Sequence, residues 1–328
     1  MKSATEVLDA FENIRRAQRA GVYAPHKPLL ILLALARLQR GEPRLVEFTA
    51  IDGALKQLLA EFGPSSAARS RHYPFWHLAT DGHGALWDLS GPREVLMRPA
   101  GATPSLGELR EQHIKGGFPP EIDEALRHIP GLLQAVATRV LDTCFPGTLH
   151  ADIAAALGLD LDGPTALRDG VPVDAEYATA ERRRRDPAFR ERVLRAYEYR
   201  CCVCGFDLRI GHTPAGLEAA HIQWHHVGGP DIEPNGLSLC SLHHKLFDLG
   251  VFTIEPSAHR VIFSQHAISG DRGTTSKLQF HGRRIHPPQH TDLLPATEFL
   301  GWNASWVFKK PARRVELTDT GATPRAAR

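Results

Sequence analysis

The chain has 328 residues with 39 basic and 37 acidic side chains, a net charge of +2, and 42% hydrophobic residues. That composition supports ordinary buried cores and excludes global disorder. The net charge is too small to announce a nucleic-acid partner, so the placement of basic residues matters more than their sum. Five cysteines, three of them within "RCCVCGF", do not make the even, scattered pattern of a disulfide framework. The N-terminus lacks an apolar stretch of leader length and no run approaches a membrane span, so the expectation is a soluble cytoplasmic protein with no membrane partner.

In chain order, residues 4–20 read as an amphipathic helix carrying Val7, Leu8, Phe11 and Ile14. "PHKPLLILLALARLQRGEP" reads as a nearly all-apolar, central helix that starts near Pro28 and stops at Gly41 and Pro43. "EFTAIDGALKQLLAEFG" is a further helix ended by Gly63-Pro64. "YPFWHLATDGHGALWDLS" reads as two short strands around a turn at Asp81-Gly82. Residues 104–143 return to helical periodicity, interrupted by "GGFPP". The expected class is α+β. Residues 1–148 form a mostly helical domain with a small β element, 149–180 a linker with room for one short helix, 181–310 a second domain, and 311–328 a mobile tail. The second domain opens on a basic helix with Arg182 to Arg185, Arg190, Arg192 and Arg195, suited to phosphate contacts.

Cys201 and Cys204 form a C-x2-C pair, and Cys240 and His243 a C-x2-H pair. Thiolate and imidazole donors in two such halves match the ligand preference and tetrahedral geometry of structural zinc. Cys240 and His243 share a helix face, Gly205 suits the tight knuckle, and Cys202 is a bystander. The adjacent His244 points about 100° away from His243 on a helix and cannot easily join the same site.

His221 in "LEAAHI", Asn235 in "DIEPNG" and His244 in "LHHKLFD" resemble the three letters of the HNH endonuclease motif, a ββα-metal fold in its zinc-supported form. The resemblance spans about residues 186–253. It implies phosphodiester hydrolysis with His221 as general base, His244 as ligand of a catalytic divalent metal such as Mg2+ or Mn2+, and Asn235 aiding the metal or orienting the base. Many members carry Asp or His just before the base as a second ligand. Here that position is Ala220, and either Glu218, two residues earlier on the strand, or Asp248, one helical turn after His244, could supply a ligand or an acceptor behind it.

"PHKPLLILLALARL", "RHYPFWHLATDG" and "GGFPPEI" resemble the sulfur-binding domain of phosphorothioate-dependent type IV, McrA-like restriction endonucleases. The resemblance implies that Tyr73 and Pro74 form a small apolar cup for the sulfur, with His26 and Lys27 beside it. Arg69, Arg71, His72 and Arg98 are further candidates for backbone or base contact, while Phe75 and Trp76 are expected in the core. The family often has Arg where Lys27 stands, and Lys keeps the charge without bidentate reach. The implied partner is double-stranded phosphorothioate DNA, with a homodimer one route to a double-strand cut. Two alternatives stay open: a reader of a modified, for example methylated, base with an aromatic cage from Tyr73, Trp76 or Trp87, and a zinc-stabilised DNA-binding protein whose nuclease site is degenerate at Ala220.

Overall fold

The computed structural model describes residues 2–12, 18–19, 22–23, 26–63, 67–80, 86–99, 101–162, 186, 188–270 and 277–314. The turn expected at Asp81-Gly82, linker residues 163–180, the run Arg182–Arg185 and tail residues 315–328 lie outside them. The architecture is α+β, with two hydrophobic cores, one on each side of the linker. Among the described residues no helix is long and apolar enough to cross a membrane.

The first core is built around α2 (His26–Gln39), whose residues from Pro28 to Leu38 are almost all buried, as expected of a helix apolar on every side. It packs against α3 (Phe48–Phe62), α4 (His72–His77) and α8 (Leu132–Cys144), and α5 (Arg93–Leu96), α6 (Leu106–Glu111) and α7 (Pro120–His128) come between the last two in the chain. The first helix, α1 (Ala4–Glu12), is shorter than the expected 4–20: residues 18–19 and 22–23 instead pair antiparallel as β1 and β2. A three-stranded antiparallel sheet in the order β3 (Val46–Glu47), β5 (Lys115–Gly117), β4 (Asp88–Ser90) closes one side.

Two sequence expectations are corrected here. "YPFW" is not a strand; it lies in helix α4, where Pro74 occupies the first turn and its missing N–H costs no hydrogen bond. In a strand the same proline would break a ladder, and only the "WDLS" half of that segment joins the sheet. Second, residues 149–157 belong to helix α9 (Gly147–Leu157), which buries Leu149, Ile153 and Leu157 on the first core.

The "GG" of β5 has a packing reason. A Cβ on Gly116 would stand 2.5 Å from Trp87 Nε1 and 2.8 Å from the Phe75 ring, both buried. The bare strand lets Phe75 of α4 and Trp87, just before β4, press their rings against the sheet, with Phe75, Trp87 and Phe118 in successive edge-to-face contacts.

The second core holds α10 (Phe189–Ala196), the hairpin β8 (Leu217–His221) with β9 (Gly236–Cys240), helix α11 (Ser241–Asp248), the pair β10 (Phe252–Ile254) with β11 (Val261–Phe263), and α12 (Thr297–Trp306), while the hairpin β6 (Arg209–Ile210) with β7 (Thr213–Pro214) stands outside it, largely exposed. Residues 311–314, expected in a mobile tail, are instead paired. Arg313 N donates to Phe263 O at 2.8 Å and Ala312 bridges Ser264, so residues 311–314 extend the β11 edge.

Gly116→Ala should destabilise the first domain by about 1–3 kcal/mol, because an added methyl must displace two buried rings. Urea unfolding followed at Trp87 checks this, with the loss seen in the midpoint and not in the slope.

Candidate functional site

The strand pair β8–β9 runs in register from Leu217↔Cys240 to His221↔Gly236, and α11 follows β9 without a break. The register puts Cys240 beside the start of β8 and His221 at its far end. Cys201 and Cys204 reach the same corner from a knuckle closed by Gly205 N→Cys201 O (2.8 Å) and Cys201 N→Phe206 O (2.8 Å). The knuckle is tied to β9 by Cys202 N→Ser238 O at 2.8 Å, while the Cys202 side chain is wholly buried in the core.

Ligand atoms of Cys201, Cys204, Cys240 and His243 all lie within 4.8 Å of one another. Cys240 Sγ is 3.2 Å and Cys201 Sγ 3.6 Å from His243 Nδ1, and Cys204 Sγ is 4.0 Å from Cys240 Sγ. Tetrahedral zinc with bonds of about 2.3 Å spaces its ligands by roughly 3.8 Å, so the four donors fit that ion. Burial alone would lower the His243 pKa, but the thiols of Cys201 and Cys240 raise it to about 9. Sharing hydrogen bonds with Cys201 and Cys204 drives the Cys240 thiol strongly downward. The same shared bonds push the Cys201 and Cys204 thiols up, so the negative charge is concentrated on Cys240.

His244 turns away from this knot. Its Nδ1 lies 2.5 Å from Glu218 Oε2 and its Nε2 3.2 Å from Asp248 Oδ2. Both acids considered for the gap at Ala220 thus reach His244, from opposite sides. They are not equivalent. Asp248 is buried and already accepts from Trp224 Nε1 (3.2 Å) and from the Thr148 hydroxyl. The Glu218 side chain is 41% exposed and is steadied by the Ser241 hydroxyl at 2.7 Å. Burial would lower the His244 pKa, yet its hydrogen bonds to Asp248 and Glu218 raise it to about 9. The His244 hydrogen bond also holds the Glu218 carboxyl below its ordinary range. Glu218 and His244 Nδ1 share one direct hydrogen bond, so a cation taken by these two donors would have to replace the hydrogen between them.

His221 lies against α10, its ring stacked on Phe189 at 4.2 Å and 19°. Asn235, expected at the metal or the base, is wholly buried, and its three hydrogen bonds all go to backbone: from Gln223 N (2.8 Å), to Gln223 O (3.0 Å) and to Pro230 O (3.0 Å). It braces the loop between β8 and β9. A carboxylate that motif spacing does not single out, Asp231, is bonded to His221 Nε2.

Two arginines of the basic helix are tied internally. Arg190 donates to Leu217 O at 2.9 Å, and Arg192 binds Asp186, Glu233 and Asp231 O. For Arg192 this inward pairing corrects the expected phosphate contact, whereas Arg190 stays exposed.

In the first domain, packing of α2 on α4 brings together the two segments singled out from sequence. Ser70 Oγ lies 3.4 Å from His26 Nε2 at the start of α2, where Lys27 follows. Tyr73 is 49% exposed, its ring between His72 (4.5 Å) and His77 (5.8 Å, stacked), while Pro74 is buried beneath. Burial pushes the His26 pKa down to about 4, so its ring is neutral near pH 7. Arg71 and Arg98 do not join this face. Arg71 is buried against Asp52, which Arg110 also binds, and Arg98 is paired with Glu108. A buried guanidinium without its carboxylate would be costly, which explains the inward turn of Arg71. Trp87, considered for an aromatic cage, is 2% exposed and belongs to the core.

The domains meet behind α11. Trp224 and Leu249 pack on the first core, and Lys245 of α11 binds Thr148 O and Asp152 of α9.

Residues 4–162 match the family model described as the ScoMcrA-like DNA sulfur-binding domain, and residues 201–255 match that of the HNH endonuclease. The chain joins a DNA sulfur-binding domain to an HNH endonuclease domain. Solved structures similar to it include the sulfur-binding domain of ScoMcrA complexed with phosphorothioated DNA, 24% identical over 46% of this chain and 94% of that one, with a TM-score of 0.40. The sulfur-binding domain of SprMcrA complexed with phosphorothioated DNA is 22% identical over 48% of this chain and 95% of that one, with a TM-score of 0.38. The type IV phosphorothioation-dependent restriction endonuclease ScoMcrA is 21% identical over 47% of this chain and 28% of that one, with a TM-score of 0.36. No curated protein matches the chain.

Metal analysis tests the Cys/His corner. The purified chain should hold zinc, and Cys204→Ala or a strong chelator should remove it and unfold the HNH domain, because structural zinc contributes on the order of 10 kcal/mol to folding. Thermal scans should show the HNH transition lost and the sulfur-binding domain's transition kept. A metal-free protein with an intact HNH transition would contradict this role.

Proposed function

We propose that this chain is a modification-dependent, type IV DNA endonuclease that binds phosphorothioate in double-stranded DNA through its first domain and hydrolyses a nearby phosphodiester with its second. The observation that carries this reading is the presence in one chain of a DNA sulfur-binding domain and of an HNH hairpin and helix bearing His221, Asn235 and His244.

A non-bridging sulfur is larger and less well hydrated than the oxygen it replaces. An apolar cup therefore favours sulfur, whereas oxygen there would lose hydrogen bonds. Tyr73, half exposed above buried Pro74, offers such a surface, with neutral His26 and Lys27 at the start of α2 to meet the phosphate group. His72 is also on α4, with its Nδ1 buried and without a hydrogen-bond partner among the described residues.

At the second site His221 takes the proton of the attacking water as the new P–O bond forms and the bond to the leaving oxygen breaks. His244 and Glu218 would hold the divalent cation, Mg2+ or Mn2+, which when bound supplies charge stabilisation to the phosphate and leaving oxygen. Glu218 thus fills the gap at Ala220, and Asp248 orients His244 from behind. Asn235 keeps the loop in shape, and zinc at Cys201, Cys204, Cys240 and His243 fixes the start of α11.

A duplex with one stereodefined phosphorothioate should bind at least about tenfold more tightly than its oxygen twin, a difference of about 1.4 kcal/mol. Tyr73→Ala should erase most of that preference, as read by fluorescence anisotropy. Equal affinity of the wild type for both duplexes would overturn the recognition reading. His221→Ala should lower cleavage by about 100-fold or more while sparing binding. Retained cleavage in that variant would show that another group is the base.

A further inference from the structure

The loop between β8 and β9 carries a carboxylate that neither the HNH motif nor its spacing assigns. Asp231 lies ten residues after His221 in sequence and returns to it in space, with Oδ1 2.7 Å from His221 Nε2. The loop doubles back at "GGP": Gly228 has φ +94°, and a Cβ on Gly229 would stand 1.9 Å from Gln223 O. Asn235 then ties Pro230 O to the Gln223 backbone. From α10 Arg192 holds Asp231 O at 2.7 Å, and just ahead of that helix the Asp186 amide donates to Asp231 Oδ2 at 2.7 Å. The Asp231 side chain is 13% exposed. It is anchored at both backbone and carboxylate, and it points at the ring that Phe189 stacks on.

We propose that Asp231 is the positioning residue for the base, fixing His221 with its hydrogen on Nε2 so that Nδ1 accepts the proton from water. This rests on the endonuclease reading of His221. The chemistry follows from the donor inventory. An ionised carboxylate only accepts, so the nitrogen facing it carries the hydrogen, and the accepting nitrogen of the neutral ring is then Nδ1. Once the ring is protonated, the same carboxylate faces an imidazolium and stabilises it. Burial would raise the Asp231 pKa, but the Asp186 amide and His221 outweigh it and hold the carboxyl below its ordinary range. It is therefore ionised wherever the base operates.

Among the described residues, the charged and titratable groups around His221 include Asp231 and His225 from the loop, with His225 Nε2 3.7 Å from Asp231 Oδ2. Behind them stand Asp186, Arg192 and Glu233, already paired with one another. The α10 residue touching the ring is the uncharged Phe189, and the β9 residue opposite it in register is Gly236. A carboxylate next to the ring favours its charged form, so replacing that charge lowers the pKa of the base.

Asp231→Asn in the full chain, assayed on a phosphorothioate duplex, should lower kcat by about 100-fold or more with little change in KM or binding. The acid limb of its kcat–pH profile should move to lower pH. Asp231→Glu, which keeps the charge, should recover part of the rate and the wild-type limb. Ring 15N shifts of His221 should report Nε2–H in the wild type and a tautomer mixture in Asp231→Asn. A merely structural role would lower the folded fraction without moving the limb or the tautomer. The inference is overturned by a folded Asp231→Asn protein with wild-type kcat and pH profile, or by Nδ1–H in the wild type. The wild-type tautomer is read even where Asp231→Asn fails to fold. Absence of any cleavage by the wild type would instead count against the endonuclease reading, leaving the tautomer to test the contact.

Discussion

Helix α11 has to satisfy two demands that point in different directions, and the Cys/His corner at its first turn is what reconciles them. Cys240 caps the helix and His243 follows within one turn, so both enter the corner with Cys201 and Cys204. The helix axis and rotation are thereby set at the point where β9 ends. His244, about 100° further round, then has no choice but to face Glu218 on β8. A short helix of eight residues could not hold that angle by its own hydrogen bonds. The four-donor corner supplies the rigidity that holds His244 against Glu218.

The same histidine is held from the other side by the first domain. Asp248 contacts His244, Trp224 and Thr148 at once, and Thr148 opens the helix that completes the sulfur-binding domain. Lys245, one residue on from His244, is paired across the same boundary. The recognition domain and the nuclease helix therefore share a buried carboxylate instead of meeting only through the linker. In the first domain the same economy recurs at Asp52, which holds Arg71 and Arg110 and so sets the chain just before Tyr73.

Residue chemistry at short range was legible without coordinates. C-x2-C and C-x2-H announce the corner, the adjacent His244 must leave it, and the apolar run from Pro28 to Leu38 is a central helix. The segment "YPFW" was not, because its aromatic residues suit a strand as well as a helix, and only packing against α2 and Gly116 decides between them. Arg71, Arg98, Arg190 and Arg192 show a related blindness. An arginine in sequence carries no sign of whether it faces solvent or an internal partner: acids six to more than thirty residues away claim Arg71, Arg98 and Arg192, and a strand carbonyl takes Arg190.

By itself the sequence determined the donor atoms and their local angles: which cysteines and histidines fall on one helix face, and which histidine is turned from it. That is covalent and helical geometry, and it needs no partner. Only the tertiary structure decided which carboxylates serve those histidines. Glu218 reaches His244 because β8 lies beside α11, and Asp231 reaches His221 because a glycine turn and the Asn235 amide fold the loop back. Both pairings depend on chain reversals, and the direction of a chain after a turn is set by packing rather than by the residues that will meet.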